Sequence, residues 1–129
     1  MTELNAAPLT LEKIWEEFKS YDGTGSKNFD LSGNRVQFYK GAMEIPLIAI
    51  YPSAPFNLAE EHLKSFSRLL SSYGLELDCV EEERNYKINT KEDSQYIGRI
   101  TTDTLRLHAA RIKDMGYETF SKIVSFHLS

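Results

Sequence analysis

Between Met43 and Gly74 the chain passes through an apolar segment, M-E-I-P-L-I-A-I-Y, then a turn flanked by Pro52 and Pro55, then an amphipathic helix closed by glycine. This order limits the fold more than any other feature. A run that is almost wholly apolar from Ile45 to Tyr51 belongs in the centre of a sheet or under cover on both faces. Pro46 lacks an N–H, so it must sit at a bulge or near the strand start. Asn57 is a good N-cap and Glu60 completes a capping-box-like pair, after which Leu58, His62, Phe66, Leu69, Leu70 and Tyr73 share one helix face. Gly74 suits the left-handed C-cap.

The flanking segments extend this unit in both directions. Thr10 caps a helix reaching about Ser20, with Leu11, Ile14, Trp15 and Phe18 on one side, and Tyr21 to Asn34 reads as a long polar loop. Val36 and Phe38 alternate with Arg35, Gln37 and Tyr39, which predicts a strand antiparallel to the apolar one. After Gly74, Leu75, Leu77 and Cys79 alternate with Glu76 and Asp78, a strand with one face in the core. Thr90 to Met115 is compatible with a hairpin, but the spacing favours a helix. Ile97, Ile100, Leu105, His108, Ile112 and Met115 fall on one broad face of it, with Arg99, Arg106 and Lys113 opposite. Gly98 costs that helix about 1 kcal/mol, and a start near Thr102 is the alternative. From Phe120 to Leu128 the alternation of apolar and polar residues predicts a closing strand.

In sequence order these elements read αββαβαβ. The fold class expected is α+β, a two-layer sandwich on a mixed four-stranded sheet, with both middle helices on one face. One domain spans 1–129, with a flexible N-terminus over 1–8 and the polar loop over 21–34. A doubly wound α/β fold is the runner-up, short of βα units.

A chain of 129 residues with 41% hydrophobic residues can bury a sufficient core without staples. Its single cysteine excludes an intrachain disulfide and a four-cysteine zinc site, which points to a reducing, cytoplasmic setting. The N-terminus has no secretory pattern and no segment approaches the length of a spanning helix, so no membrane role is expected. A net charge of −4 argues against gripping phosphate backbones, and direct nucleic-acid binding is not expected.

Four sets of residues carry possible chemistry. His62 and His108 fall on apolar helix faces with Cys79 on the strand between, and with a fourth ligand that trio suits zinc, or a thiol nucleophile and its base. A buried Cys and core histidines explain the same pattern without function. If parallel crossovers form, small molecules sit beyond strand carboxyl ends, at Tyr51, Ser53 and Asn57 and at Thr90 and Lys91. The acidic stretch Glu76, Asp78, Glu81, Glu82 and Glu83 offers an interaction edge that also discourages aggregation. Arg99, Arg106 and Lys113 recur every seventh residue, a stripe for RNA or an acidic partner that Asp103 interrupts. The loop Asp22 to Asn28 lacks the strand-before, helix-after context of a phosphate loop, and no other catalytic motif is present.

These readings favour a small non-enzymatic protein-interaction module acting as regulator, inhibitor or assembly factor, with a protein partner and a homodimer through an uncovered strand edge. No cofactor is expected. The alternatives are a small-ligand sensor using the strand-to-helix loops, and a metal- or thiol-dependent enzyme built on His62, Cys79 and His108.

Overall fold

Thr10 accepts the Lys13 N–H at 3.2 Å and so opens α1 (Leu11–Lys19), whose Ile14, Trp15 and Phe18 are buried. The computed structural model describes residues 10–41, 44–81 and 85–128, with the backbone alone at 80 and 81. The stretch expected as polar loop holds a strand. β1 (Lys27–Leu31) turns through Ser32 and Gly33 into β2 (Asn34–Lys40), and both turn residues have positive φ, 52° and 89°. That two-residue turn carries the twist a hairpin needs, a signal hidden by the surrounding polar residues. β3 (Pro46–Tyr51) pairs antiparallel with β2, and Pro46 is its first residue, where the missing N–H does least harm. Met43, where the strand was expected to begin, lies outside the described residues.

α2 (Glu60–Ser71) begins later than its expected cap, because the Asn57 side chain accepts the Ala59 N–H at 2.8 Å and spends itself on a local turn. Its connector is anchored where the Phe56 N–H donates to the Thr102 carbonyl at 2.8 Å. β4 (Leu75–Glu81), β5 (Asn85–Thr90), β6 (Tyr96–Ile100) and β7 (Leu105–His108) then form a second meander. α3 (Ala109–Met115) and α4 (Tyr117–Leu128) complete the described chain.

The fold is α+β, but the sheet has seven strands in the order β1-β2-β3-β7-β6-β5-β4, and every neighbouring pair is antiparallel. The expected four-stranded mixed sheet and its αββαβαβ order are corrected to αβββαββββαα. Two misread segments account for most of the difference. Residues 96–108 form a hairpin because Thr101 Oγ1 accepts the N–H groups of Asp103 and Thr104, at 3.2 and 3.1 Å, and folds the chain back. Gly98, costly in a helix, is needed in this strand: a Cβ there would strike the Arg106 carbonyl oxygen and lie 2.9 Å from Leu107 Cδ2. The second segment is the C-terminus. Phe120, Ile123, Val124 and His127, buried with Thr119 beside them, are spaced i, i+3, i+4, i+7, and that helical spacing prevails over the alternation read from the same residues.

One sheet face carries Val36, Phe38, Ile48, Ile50, Leu105, Leu107, Ile100 and Ile88, all buried, under the helical layer. Phe18 bridges Phe38 of the sheet and Phe120 of α4, with ring centroids 5.2 and 6.0 Å away. At the other end of α4, Phe126 stacks on Phe66 and on His62, and His127 stacks on Phe56 at 4.9 Å. His127 is 2% exposed, and neither ring nitrogen makes a hydrogen bond of ordinary geometry. Burial therefore holds its pKa down at about 4, with the nearby Thr101 backbone opposing only in part.

Gly98→Ala is expected to cost about 3 kcal/mol, the upper end of the overpacking range, as a lower urea midpoint. A histidine with its folded pKa below the unfolded value stabilises fully above pH 6.5, and that contribution drains as pH falls toward 4. Between those limits the wild type should lose on the order of 3 kcal/mol more than His127→Phe, measured by urea denaturation at each pH.

Candidate interaction surface

The opposite face of the sheet has no described helix against it. Alternation places Arg35, Gln37 and Tyr39 of β2 there, with Leu47, Ala49 and Tyr51 of β3 and Arg106 and His108 of β7. The register aligns one row across all seven strands: Asn28, Gln37, Ala49, Arg106, Arg99, Lys87 and Asp78. At about 4.8 Å per strand, the row is about 29 Å wide. Toward β4 it holds three cations in succession. Arg99 has Arg106 as its direct partner on one side and Lys87 on the other. Side chains so placed stand about 5 Å apart at Cβ, where like charges destabilise.

Among the described residues one carboxylate, Asp78, stands across from Lys87 in this row, and no carboxylate stands directly across from Arg99 or Arg106. None of the three cations forms an ion pair with a described residue. The Asp78 Oδ2 accepts the Asn89 amide at 2.7 Å. Arg99 Nε is shut off from solvent without an acceptor, and so are Asn85 Oδ1 and His108 Nδ1 on the same face. Burial and the neighbouring Arg111 push the His108 pKa down. Toward β1 the face changes character: the Arg35 guanidinium lies 4.2 Å from the Tyr51 ring centroid, and the Tyr51 hydroxyl donates to Gln37 Oε1 at 3.3 Å.

The residues named from sequence are distributed as follows. Arg99 and Arg106 do meet, across two strands instead of along one helix, whereas Lys113 lies in α3, donates to the Tyr21 carbonyl at 3.1 Å and covers the Phe18 ring. Sequence reasoning missed Lys87, and its alternation with Tyr86 and Ile88 was the signal for it.

His62, Cys79 and His108 do not converge. His62 packs on Phe126 in the helical layer, His108 ends β7 on the opposite sheet face beside Leu47, and Cys79 is exposed on edge strand β4. The physical reason is the hairpin, which removes His108 from any helix. Among the described residues no group of three or more His, Cys, Asp or Glu side chains is placed to hold a metal ion.

The two expected crossover loops are also separated. β3 and β5 run in opposite directions, so Tyr51, Ser53 and Asn57 lie at one end of the sheet and Thr90 and Lys91 at the other. Ser53 N–H donates to Asn34 Oδ1 at 2.7 Å, Thr90 Oγ1 donates to Asp93, and Lys91 Nζ donates to Ser71 Oγ at 2.7 Å. Between α2 and the β4–β5 hairpin runs an open groove of about 500 Å³ lined by Leu58, Leu63, Ser67, Leu77 and Tyr86. Glu60 and Lys64 at its rim are paired with each other at 3.4 Å.

Of the acidic set, Glu76 and Asp78 lie on β4, at the margin of the open face, and Glu81 is described by its backbone alone. Glu82 and Glu83 lie outside the described residues. Among the described residues no helix is long and apolar enough to cross a membrane. Comparison with models of protein families, with curated proteins and with solved structures finds no match for this chain.

Since the trio repels itself, Arg106→Glu is expected to raise stability by about 1 kcal/mol at low salt by pairing with Arg99. The gain should fade in about 1 M salt, where the Debye length is about 3 Å; a loss of stability at low salt would contradict the charge argument.

Proposed function

We propose that this protein is a non-enzymatic interaction module that acts by binding another macromolecule, as a regulator, inhibitor or assembly factor, with a protein as its partner. The observation that carries this reading is the uncovered sheet face with three cations in a row against the single carboxylate of Asp78. A sheet normally buries an apolar face and wets a polar one, and a polar face alone signifies nothing. Here the wet face departs from that pattern in a costly way. Three like charges sit side by side, with orphaned polar atoms around them, at positions where glutamate, threonine or serine would serve the fold better. Half-buried Tyr39, Leu47 and Tyr51 lie beside the row, and Arg and Tyr are enriched at protein interfaces.

β1 and β4 each have one neighbour in the sheet, so pairing through an edge, a homodimer included, is part of the same reading. The cytoplasmic setting rests on the single cysteine. Affinity capture from native lysate at low salt tests the reading: the immobilised chain should retain a protein above background. Retention of nothing would remove its basis.

A further inference from the structure

We propose that the row Lys87–Arg99–Arg106 is the docking site for a short acidic segment of the partner protein. The inference rests on the interaction reading above and names the chemistry of the contact.

Three observations carry it. The first is the stored repulsion: neutralising the row from outside relieves a penalty that the fold bears when the face is empty, so an anionic occupant gains more there than on an ordinary surface. The second is Arg99 Nε, a charged donor held between two cations with no acceptor among the described residues. Third is the boundary of the patch. Lys87 to Arg106 covers two strand spacings, about 10 Å, and beyond it lie Asp78 and Glu76 on one side and Ala49 and Gln37 on the other, with Asp30 further out on β1.

That boundary selects among anions. Duplex DNA presents a charge about every 1.7 Å of axis, so a nucleic acid laid along the row would carry phosphates over Asp78. A polyanion long enough to cross the face would also meet Asp30 on β1, whereas a short segment ends before it. A second copy of this chain placed face to face would set the row against itself. A short cluster of carboxylates fits both the length and the limits. Glu or Asp residues three and four apart on a helix lie about 5–6 Å apart, close to the 4.8 Å between strands, so an acidic helix crossing the strands can meet each cation in turn. Leu47 and Tyr39, one row away, offer its apolar residues a contact.

Selection from a random-peptide display library on the full-length protein tests the proposal. Selected peptides should carry clusters of Asp and Glu, weaken as salt rises, and bind the double variant Lys87→Gln/Arg106→Gln at least roughly tenfold more weakly. This variant spares the half-buried Arg99, and a circular-dichroism melt should show it at least as stable as wild type; Arg99→Gln is the second variant. Peptides without acidic bias, peptides that bind wild type and double variant equally, or an empty selection would each overturn the proposal. Oligouridylate RNA that binds more tightly than the best peptide, by fluorescence anisotropy, would also overturn it and mark a nucleic-acid surface. If the double variant retains the same protein from lysate as wild type, the row is not the site while the interaction reading stands; if neither retains anything, both fail.

Discussion

The ladder between β3 and β7 holds the molecule together. Among the described residues it is the one strand pairing between the β1–β2–β3 meander and the β4–β5–β6–β7 meander, and it joins Leu47 to His108 and Ile50 to Leu105. Without it each meander would present an unpaired edge and half of an apolar face. Hydrocarbon enforces the register. A slip of one residue would send Ile48 and Ile50 to the wet face and bring Ala49 and Leu47 under the helices, exchanging large buried side chains for one small and one half-exposed. The cation row follows from the same constraint, since the register that buries Leu105 and Leu107 brings Arg106 level with Arg99.

The helical layer adds to this by spanning the junction. α4 reaches from Trp15 and Phe18 of α1, where Phe120 packs, to Phe66 of α2, where Phe126 stacks. Aromatic pairs contribute about 0.5–1.5 kcal/mol each beyond their buried area, so the seam is a substantial share of a marginal total. His127 is its buried ionisable member, which makes the seam sensitive to acid.

Much of the fold was legible wherever one periodicity dominated. The first helix and its Thr10 cap, the β2–β3 pairing, the body of α2 and the start of β4 all follow from local pattern. The rest was lost where two patterns coincide in the same residues. Ile97, Ile100, Leu105 and Ile112 satisfy a helical face, yet the threonine-led turn at 101–104 and the crowded Gly98 decide for strands. In the C-terminal segment the alternation is present but irrelevant, because burial follows Phe120, Ile123, Val124 and His127. The surface was half legible for the same reason. Arg99 and Arg106 stood out by spacing, but Lys87 joins them only through pairing between distant segments, which no local window contains.

Because α1 packs on α4 through the Trp15–Phe120 contact, 4.8 Å between ring centroids, it is made well before the helix that seats it. Its Trp15, whose ring packs on Tyr117 and Phe120, stays uncovered until α4 has emerged, an interval of several seconds or more at about 5–20 residues per second. A nascent chain of this design has reason to engage a holdase early, and a prematurely terminated product lacking α4 displays a greasy stripe that marks it for disposal.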